Sequence, residues 1–358
     1  MRRRQLRLLE SIRRSSVRFS RHTSPRFCFR GFTSASQLLG LGCTPAIPTA
    51  STLMAPLNAA SQEAIDRLRG YTPPPTAYSE VPLSRRAAVL ILLYADLQGD
   101  LRVVITIRAK TLKSYAGEAA LPGGKADTLS ETAFQTARRE ACEEIGLPDI
   151  SQPLPPPFSV EHLCELPANL AKTELVVRPC VALLHSFDPG TGANADPETE
   201  LIPRLDAREV AAVFTARFDD FLSLRNSEGR GADDWYRGSW SLWHNSNWRM
   251  HQFFVRSANH AIKPRSPGNE AQNAAVDRLS QQESSGQVQH YRVFGMTARI
   301  LVDAARVAFA REPEFEHNSH FGDEEMIAKL RRLGRLSEVR RPGDELTRET
   351  MERAAKLS

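Results

Sequence analysis

The chain of 358 residues is predicted to fold as an α/β protein. Two observations predict it. Apolar, β-rich runs recur at Ala87–Ala95 (AAVLILLYA), Leu101–Arg108 (LRVVITIR) and Leu175–Leu184 (LVVRPCVALL), and such runs read as buried strands. Between the second and third runs, Phe134, Ala137, Ala141 and Ile145 are spaced three, four and four residues apart. That spacing makes one apolar face on a helix. A hydrophobic content of 41% suffices for a real core, and a charged content of 25% is ordinary.

The elements follow in order. From Arg2 to Arg30 arginines are dense, and Glu10 is the only acid before Glu63. Leu6, Leu8, Leu9 and Ile12 interleave with those arginines. This is the composition of a mitochondrial transit peptide, so residues 1–53 are expected to be a disordered targeting presequence. The bland reading is a basic tail with no address. Met54 offers a downstream start, which keeps a cytoplasmic or peroxisomal form open. The last residues, Ala355-Lys356-Leu357-Ser358, miss a terminal Ser-Lys-Leu signal by one residue, and no such signal is assigned. The net charge of +5 comes from the presequence, so it implies no nucleic-acid-binding face. No apolar run approaches the roughly 20 residues of a bilayer span.

Residues 54–82 are expected to hold a short helix over Glu63–Gly70 and a Pro-rich linker, with the domain proper at 83–325. Gln98-Gly99-Asp100 turns the first strand into the second as a hairpin. Helix stop signals sit at Gly146 and Pro148, and Thr128 with Glu131 fits a capping box. Downstream, a strand is expected to begin over Glu209–Phe214. The segment WYRGSWSLWHNSNWRMHQFFV reads as paired strands around Asn245-Ser246-Asn247, with most of its tryptophans in the core. Residues 256–290 read as a disordered insertion, and 326–358 as a charged, peripheral helix and tail. Of five cysteines, Cys142, Cys164 and Cys180 lack disulfide or metal spacing and are read as packing residues.

The helix carries the chemistry. Glu140, Glu143 and Glu144 fall within five residues. On a helix each residue advances about 100°, so the three share one flank. A like-charged i,i+4 pair costs about 0.2–0.5 kcal/mol, and a divalent cation turns that repulsion into ligation. Hard cations such as Mg²⁺ take oxygen ligands of this kind. Arg139 is placed to pair with Glu143. Gly123 and Gly124, lacking Cβ, let backbone approach a ligand closely. The competing reading is a solvated acidic face.

Gly124, Glu131, Arg139, Glu140, Glu143, Glu144, Gly146 and Leu147 resemble the Nudix box, Gly-x5-Glu-x7-Arg-Glu-U-x-Glu-Glu-x-Gly-U. Six residues rather than five separate Gly124 from Glu131, and Ala141 stands at the first U position. The extra residue is similar to the coenzyme A diphosphatase branch. Upstream, Arg108, Leu112, Gly117, Glu118, Pro122, Gly123, Gly124, Lys125 and Asp127 resemble that branch's second motif. Ala109, Lys113 and Tyr115 depart from it, and the lysine loses bidentate phosphate recognition. Tyr291–Asp303 resembles the branch's terminal strand and helix.

The resemblance implies an α/β/α sandwich with a mixed β-sheet and an enzyme that hydrolyses a diphosphate linked to another moiety. It implies Mg²⁺ or Mn²⁺ on Glu140, Glu143 and Glu144, with Gly123 and Glu131 as further candidate ligands. Capping alone would also explain Glu131. Arg139 orients the cluster, and a glutamate takes the proton of the attacking water. Arg108, Lys113, Gly117, Gly123, Gly124 and Lys125 are the candidate substrate contacts. The implied substrate is coenzyme A or acyl-CoA. Another nucleoside diphosphate derivative (ADP-ribose, NADH or an oxidised dNTP) remains the alternative, with a non-catalytic binding protein behind it. Oligomeric state is not specified.

Overall fold

β1 (Arg86–Ala95) and β2 (Leu101–Arg108) pair antiparallel, with Leu93 opposite Val103, as the turn at Gly99 predicts. The computed structural model describes residues 57–108, 118–201, 210–227, 235–243, 246–256, 290–339 and 346–357, with isolated positions at 273, 277 and 281. The expected presequence, Lys113, Gly117, Glu209 and most of the expected insertion lie outside the described residues. The first and last residues of that insertion, Arg256 and His290, are strand residues.

The main sheet also contains β3 (Ala119–Ala120), β4 (Gly123–Lys125), β5 (Ser159–Glu165), β6 (Asn169–Leu170), β7 (Val176–His185) and β10 (Val210–Arg217). β8 (Phe187–Asp188) and β9 (Ala193–Asn194) make a small separate hairpin. The central order is β10-β2-β1-β7-β5. β1 and β7 run parallel while the other pairs are antiparallel, so the sheet is mixed. A third sheet has the order β11 (Tyr236–Trp243), β12 (Ser246–Arg256), β13 (His290–Phe294).

Alternation along the strands builds two cores, because successive side chains leave opposite faces. Ala88, Leu90, Leu92 and Tyr94 of β1 pack with Ala137, Ala141 and Ile145 of α2 (Ala133–Ile145). Ile91 and Leu93 face the other way, toward Ile65 and Leu68 of α1 (Ala59–Arg69) and Leu301 of α3 (Gly295–Phe309). Burying each such aliphatic side chain contributes about 1.5–3 kcal/mol. The result is a helix–sheet–helix sandwich.

Three expectations change. Residue 83 is no boundary in packing, since α1 sits in the same core as the sheet. The C-terminal segment is not peripheral: Ile327 and Leu330 of α4 (Glu324–Arg332) and Met351 and Ala354 of α5 (Arg348–Ala355) are buried in the α2-side core. Of the tryptophans whose burial is described, Trp235 is buried, Trp248 is half-buried and Trp240 is 48% exposed. β13 pairs only with Gln252–Arg256. Among the described residues, the rest of the β11–β12 hairpin has no third strand beside it, which leaves less surface to bury its tip.

Candidate active site

α2 starts one turn later than expected. Thr132 is its N-cap, with the Thr132 hydroxyl accepting from Gln135 N (3.1 Å) and Gln135 Oε1 accepting from Thr132 N (2.8 Å). Two Thr-x-x-acceptor patterns follow one another here, Thr128–Glu131 and Thr132–Gln135, and the second forms the capping box. Gly146, at φ 69°, closes the helix in the left-handed conformation. Glu131 is thereby released from capping. It accepts from Asp127 N (2.9 Å), the Thr136 hydroxyl (3.0 Å) and Arg139 Nε (3.0 Å). Partial burial pushes its pKa up, but these donors outweigh burial and hold it below the usual carboxylate value.

Arg139 is the hub. Its Nη1 lies 3.1 Å from Glu140 Oε1 and 3.3 Å from Glu143 Oε1, its Nη2 donates to Lys125 O at 2.7 Å, and Asp127 Oδ2 is 3.5 Å from Nε. Burial works against its charge, yet the Glu131 hydrogen bond and the charges of Glu140 and Glu131 raise its pKa further. The expected pairing with Glu143 is present, together with three other carboxylates.

The two glycines act on different glutamates. Gly123, at φ 155°, would place a Cβ 2.3 Å from Ala88 O, so only glycine passes between β1 and α2 there. Its N–H donates to Glu144 Oε2 at 3.0 Å. A Cβ on Gly124 would lie 2.5 Å from the Glu140 carboxylate. Glu144 is 5% exposed and its Oε1 is 3.5 Å from Arg108 Nη1, whereas Glu143 is 53% exposed. The acidic flank therefore runs from a buried, anchored carboxylate to one in open solvent.

The structure brings together Arg108, Gly123, Gly124, Glu131, Arg139, Glu140, Glu143 and Glu144. Lys125 contributes its carbonyl while its side chain is exposed. Thr136 was missed by sequence reasoning. Its signal was its place one turn before Glu140 on the same helix. Cys164 and Cys180 are buried, and burial pushes the Cys164 thiol up to about 12, which suits packing rather than nucleophilic attack.

Among the described residues, no three Asp, Glu, His or Cys side chains converge as a metal ion requires. Arg139 holds Glu140 and Glu143 in the arrangement seen. The donor set still fits a hard divalent cation in kind: all-oxygen, acidic, and set against a glycine strand where a Cβ would collide with Glu140.

A mixed-sheet sandwich that presents an acidic helix to a glycine strand is suited to phosphate-ester chemistry. The NUDIX domain matches residues 84–237. The peroxisomal coenzyme A diphosphatase 1 of Saccharomyces cerevisiae is 28% identical over 290 residues, spanning 76% of this chain and 83% of that protein. The mitochondrial Nudix hydrolase 15 of Arabidopsis thaliana is 29% identical over 231 residues, spanning 64% of this chain and 61% of that protein. The uncharacterized Nudix hydrolase NudL of Photorhabdus laumondii is 32% identical over 152 residues, spanning 42% of this chain and 68% of that protein. The chain belongs to the Nudix hydrolase family, and as an enzyme it is a Nudix pyrophosphohydrolase. Enzymes of this family generally use divalent metal ions.

Proposed function

We propose that this enzyme hydrolyses the diphosphate of coenzyme A and its acyl or oxidised derivatives, releasing 3′,5′-ADP and the (acyl-)4′-phosphopantetheine. The observation that carries the reading is the junction of Arg108 with Glu144. The first residue of the upstream motif reaches the buried glutamate of the box, 3.5 Å away. Substrate recognition and catalysis are thereby coupled through one contact. The yeast relative that spans most of this chain is named a coenzyme A diphosphatase, which supports the same reading.

The proposed roles follow from the contacts. Glu140, Glu143 and Glu144 would hold Mg²⁺ or Mn²⁺, with the Gly123 carbonyl as a further ligand. When bound, such an ion supplies charge neutralisation of the diphosphate and acidifies water. Glu144, fixed by the Gly123 N–H and Arg108, is proposed as the proton acceptor for the attacking water. Arg139 and Glu131 position the acidic flank, because each is held by several directed hydrogen bonds. Arg108 and Lys125 contact phosphate, and the Gly123–Gly124 backbone lets it approach. Lys113 and Gly117 keep their proposed substrate contact from the motif alone.

The test is a substrate panel with Mg²⁺, read by mass spectrometry of products. Coenzyme A should yield 3′,5′-ADP and phosphopantetheine. A strong preference for ADP-ribose or NADH would replace this reading with another Nudix substrate. The arginine-rich N-terminus and the mitochondrial and peroxisomal names of the relatives support an organellar location. We propose the mitochondrial matrix, with the peroxisome as the alternative. Imaging of a full-length fusion that stays in the cytosol would remove both.

A further inference from the structure

The two faces of the β11–β12–β13 sheet differ. Phe253, Val255, Tyr291 and Val293 alternate inward and are buried. The residues between them face the other way. Register puts Arg237 opposite Gln252, Gln252 opposite Phe294, and Phe254 opposite Arg292. On this outer face the Arg237 guanidinium lies 5.1 Å from the Phe254 ring centroid, and that of Arg292 lies 4.6 Å from the Phe294 centroid. Arg237 is exposed and has no carboxylate partner among the described residues. No acidic side chain lies in these rows of the face.

A guanidinium resting on a ring has given up much of its rotamer freedom; the N–H edge of Arg237 stays available, while Arg292 shares one terminal nitrogen with Glu118. Arg237 stands opposite Gln252, and Arg292 stands one strand pair further along, opposite Phe254; planar, forked donors of this kind recognise phosphate. Core packing does not account for the pair, because both arginines are exposed.

The face is continuous with the candidate active site. β13 runs beside β3. Arg292 Nη2 lies 3.3 Å from Glu118 Oε1, the Glu118 carbonyl accepts from Arg108 N at 3.1 Å, and Arg108 reaches Glu144. From Glu118 to Gly123 the chain spans at most about 18 Å.

We propose that the outer face of this sheet, through Arg237, Arg292 and Gln252, binds the phosphomonoester on the nucleotide half of the substrate. The box glutamates would act on the diphosphate of the same molecule. The inference rests on the coenzyme A reading and specifies the part of the substrate that is recognised: a ribose 3′-phosphate rather than the base or the pantetheine arm.

The experiment compares kcat/KM for coenzyme A and for 3′-dephospho-coenzyme A, using the full chain with Mg²⁺. Wild type should favour the 3′-phosphorylated substrate by about tenfold or more, as expected for losing a hydrogen bond to a charged group. Arg237→Gln and Arg292→Gln should each shrink that ratio severalfold, mainly by raising KM for coenzyme A. Arg237→Gln leaves no carboxylate partner behind, and a thermal melt checks its folding. A general loss of structure would lower both substrates together and leave the ratio where it was. An unchanged ratio in both variants overturns the proposal. A wild type that cleaves neither substrate but cleaves ADP-ribose overturns the coenzyme A reading itself, a distinct result.

Discussion

Two clusters in this molecule are made of the same groups, arginine against carboxylate, and do opposite things. Around Arg139 a single guanidinium is divided among Asp127, Glu131, Glu140 and Glu143. The acid there outnumbers the base, and the flank opens to solvent. Behind the sheet, Arg299 pairs with Asp323 through both terminal nitrogens at 3.1 Å, with side chains 2% and 4% exposed. Asp323 also accepts from Leu170 N, and Gly322 O takes a further Arg299 N–H. Next to it Arg178 bridges Glu165 and Glu324, and Glu324 accepts from the Ala77 and Ala168 N–H groups. This second cluster ties α3 and α4 to the β6–β7 corner. The difference teaches that a charge cluster is read by its balance and exposure. Buried carboxylates closely held by arginine and backbone N–H groups fix the fold, whereas excess acid beside open backbone invites a cation.

The largest expected effect breaks the buried cluster. Arg299→Met leaves Asp323 buried without its partner, and removing one member of such a pair costs about 3–5 kcal/mol. Urea unfolding of the full chain measures it. A loss below about 1 kcal/mol would mean the pair is screened by water, and the contrast would dissolve. In the open cluster the effect should fall on rate instead. Glu144→Gln keeps an oxygen for the Gly123 N–H but loses the basic carboxylate. Diphosphatase kcat should fall by about 10²–10⁴-fold with little change in the unfolding midpoint. Retained activity would remove Glu144 from the proposed proton-acceptor role.

The neighbouring glycines sharpen the comparison on a smaller scale. An alanine at Gly123 meets the fixed Ala88 carbonyl at 2.3 Å, so Gly123→Ala should cost about 1–3 kcal/mol of stability. An alanine at Gly124 meets only the end of the Glu140 side chain, at 2.5 Å. That side chain can swing away, so Gly124→Ala should spare stability and lower kcat/KM by up to about 100-fold, the scale of a catalytic group displaced by about 1 Å. Equal effects on both properties at both positions would show that the strand, not the glutamate, is what the glycines serve.

Much of this was legible in the sequence where periodicity was strong. The hairpin Arg86–Arg108 and the strand Val176–His185 are continuous apolar runs, and the helix Ala133–Ile145 follows a 3.6-residue pattern; single positions do not blur either signal. The gathering of Glu140, Glu143 and Glu144 follows from helix geometry alone. What escaped depends on tertiary choice. Thr128 and Thr132 offered two caps one turn apart, and only packing selects between them. α4 and α5 bury few side chains (Ile327, Leu330, Met351) among many charges, so their composition reads as solvent-facing. The partners of Arg178 and Arg299, Glu324 and Asp323, arrive from far along the chain, so local pattern does not show either pairing.

The smallest effect concerns Glu131, where the two kinds of cluster meet. Its carboxylate sits at the open site yet is held like the buried ones, by Asp127 N, Thr136 and Arg139. Its folded pKa is lowered from the ordinary value of 4.5. The unfolded chain therefore binds the proton more readily. The stabilisation is complete above pH 4.5 and is lost as pH falls through the lower folded value. Glu131→Gln should cost about 1 kcal/mol at neutral pH, the net worth of one intramolecular hydrogen bond. The difference from wild type should shrink as the pH is lowered below 4.5. Urea melts across that range decide it. If the cost is independent of pH, the charge contributes nothing and shape alone matters. If instead kcat falls as far as in Glu144→Gln, Glu131 belongs with the metal-holding glutamates rather than with the residues that position Arg139.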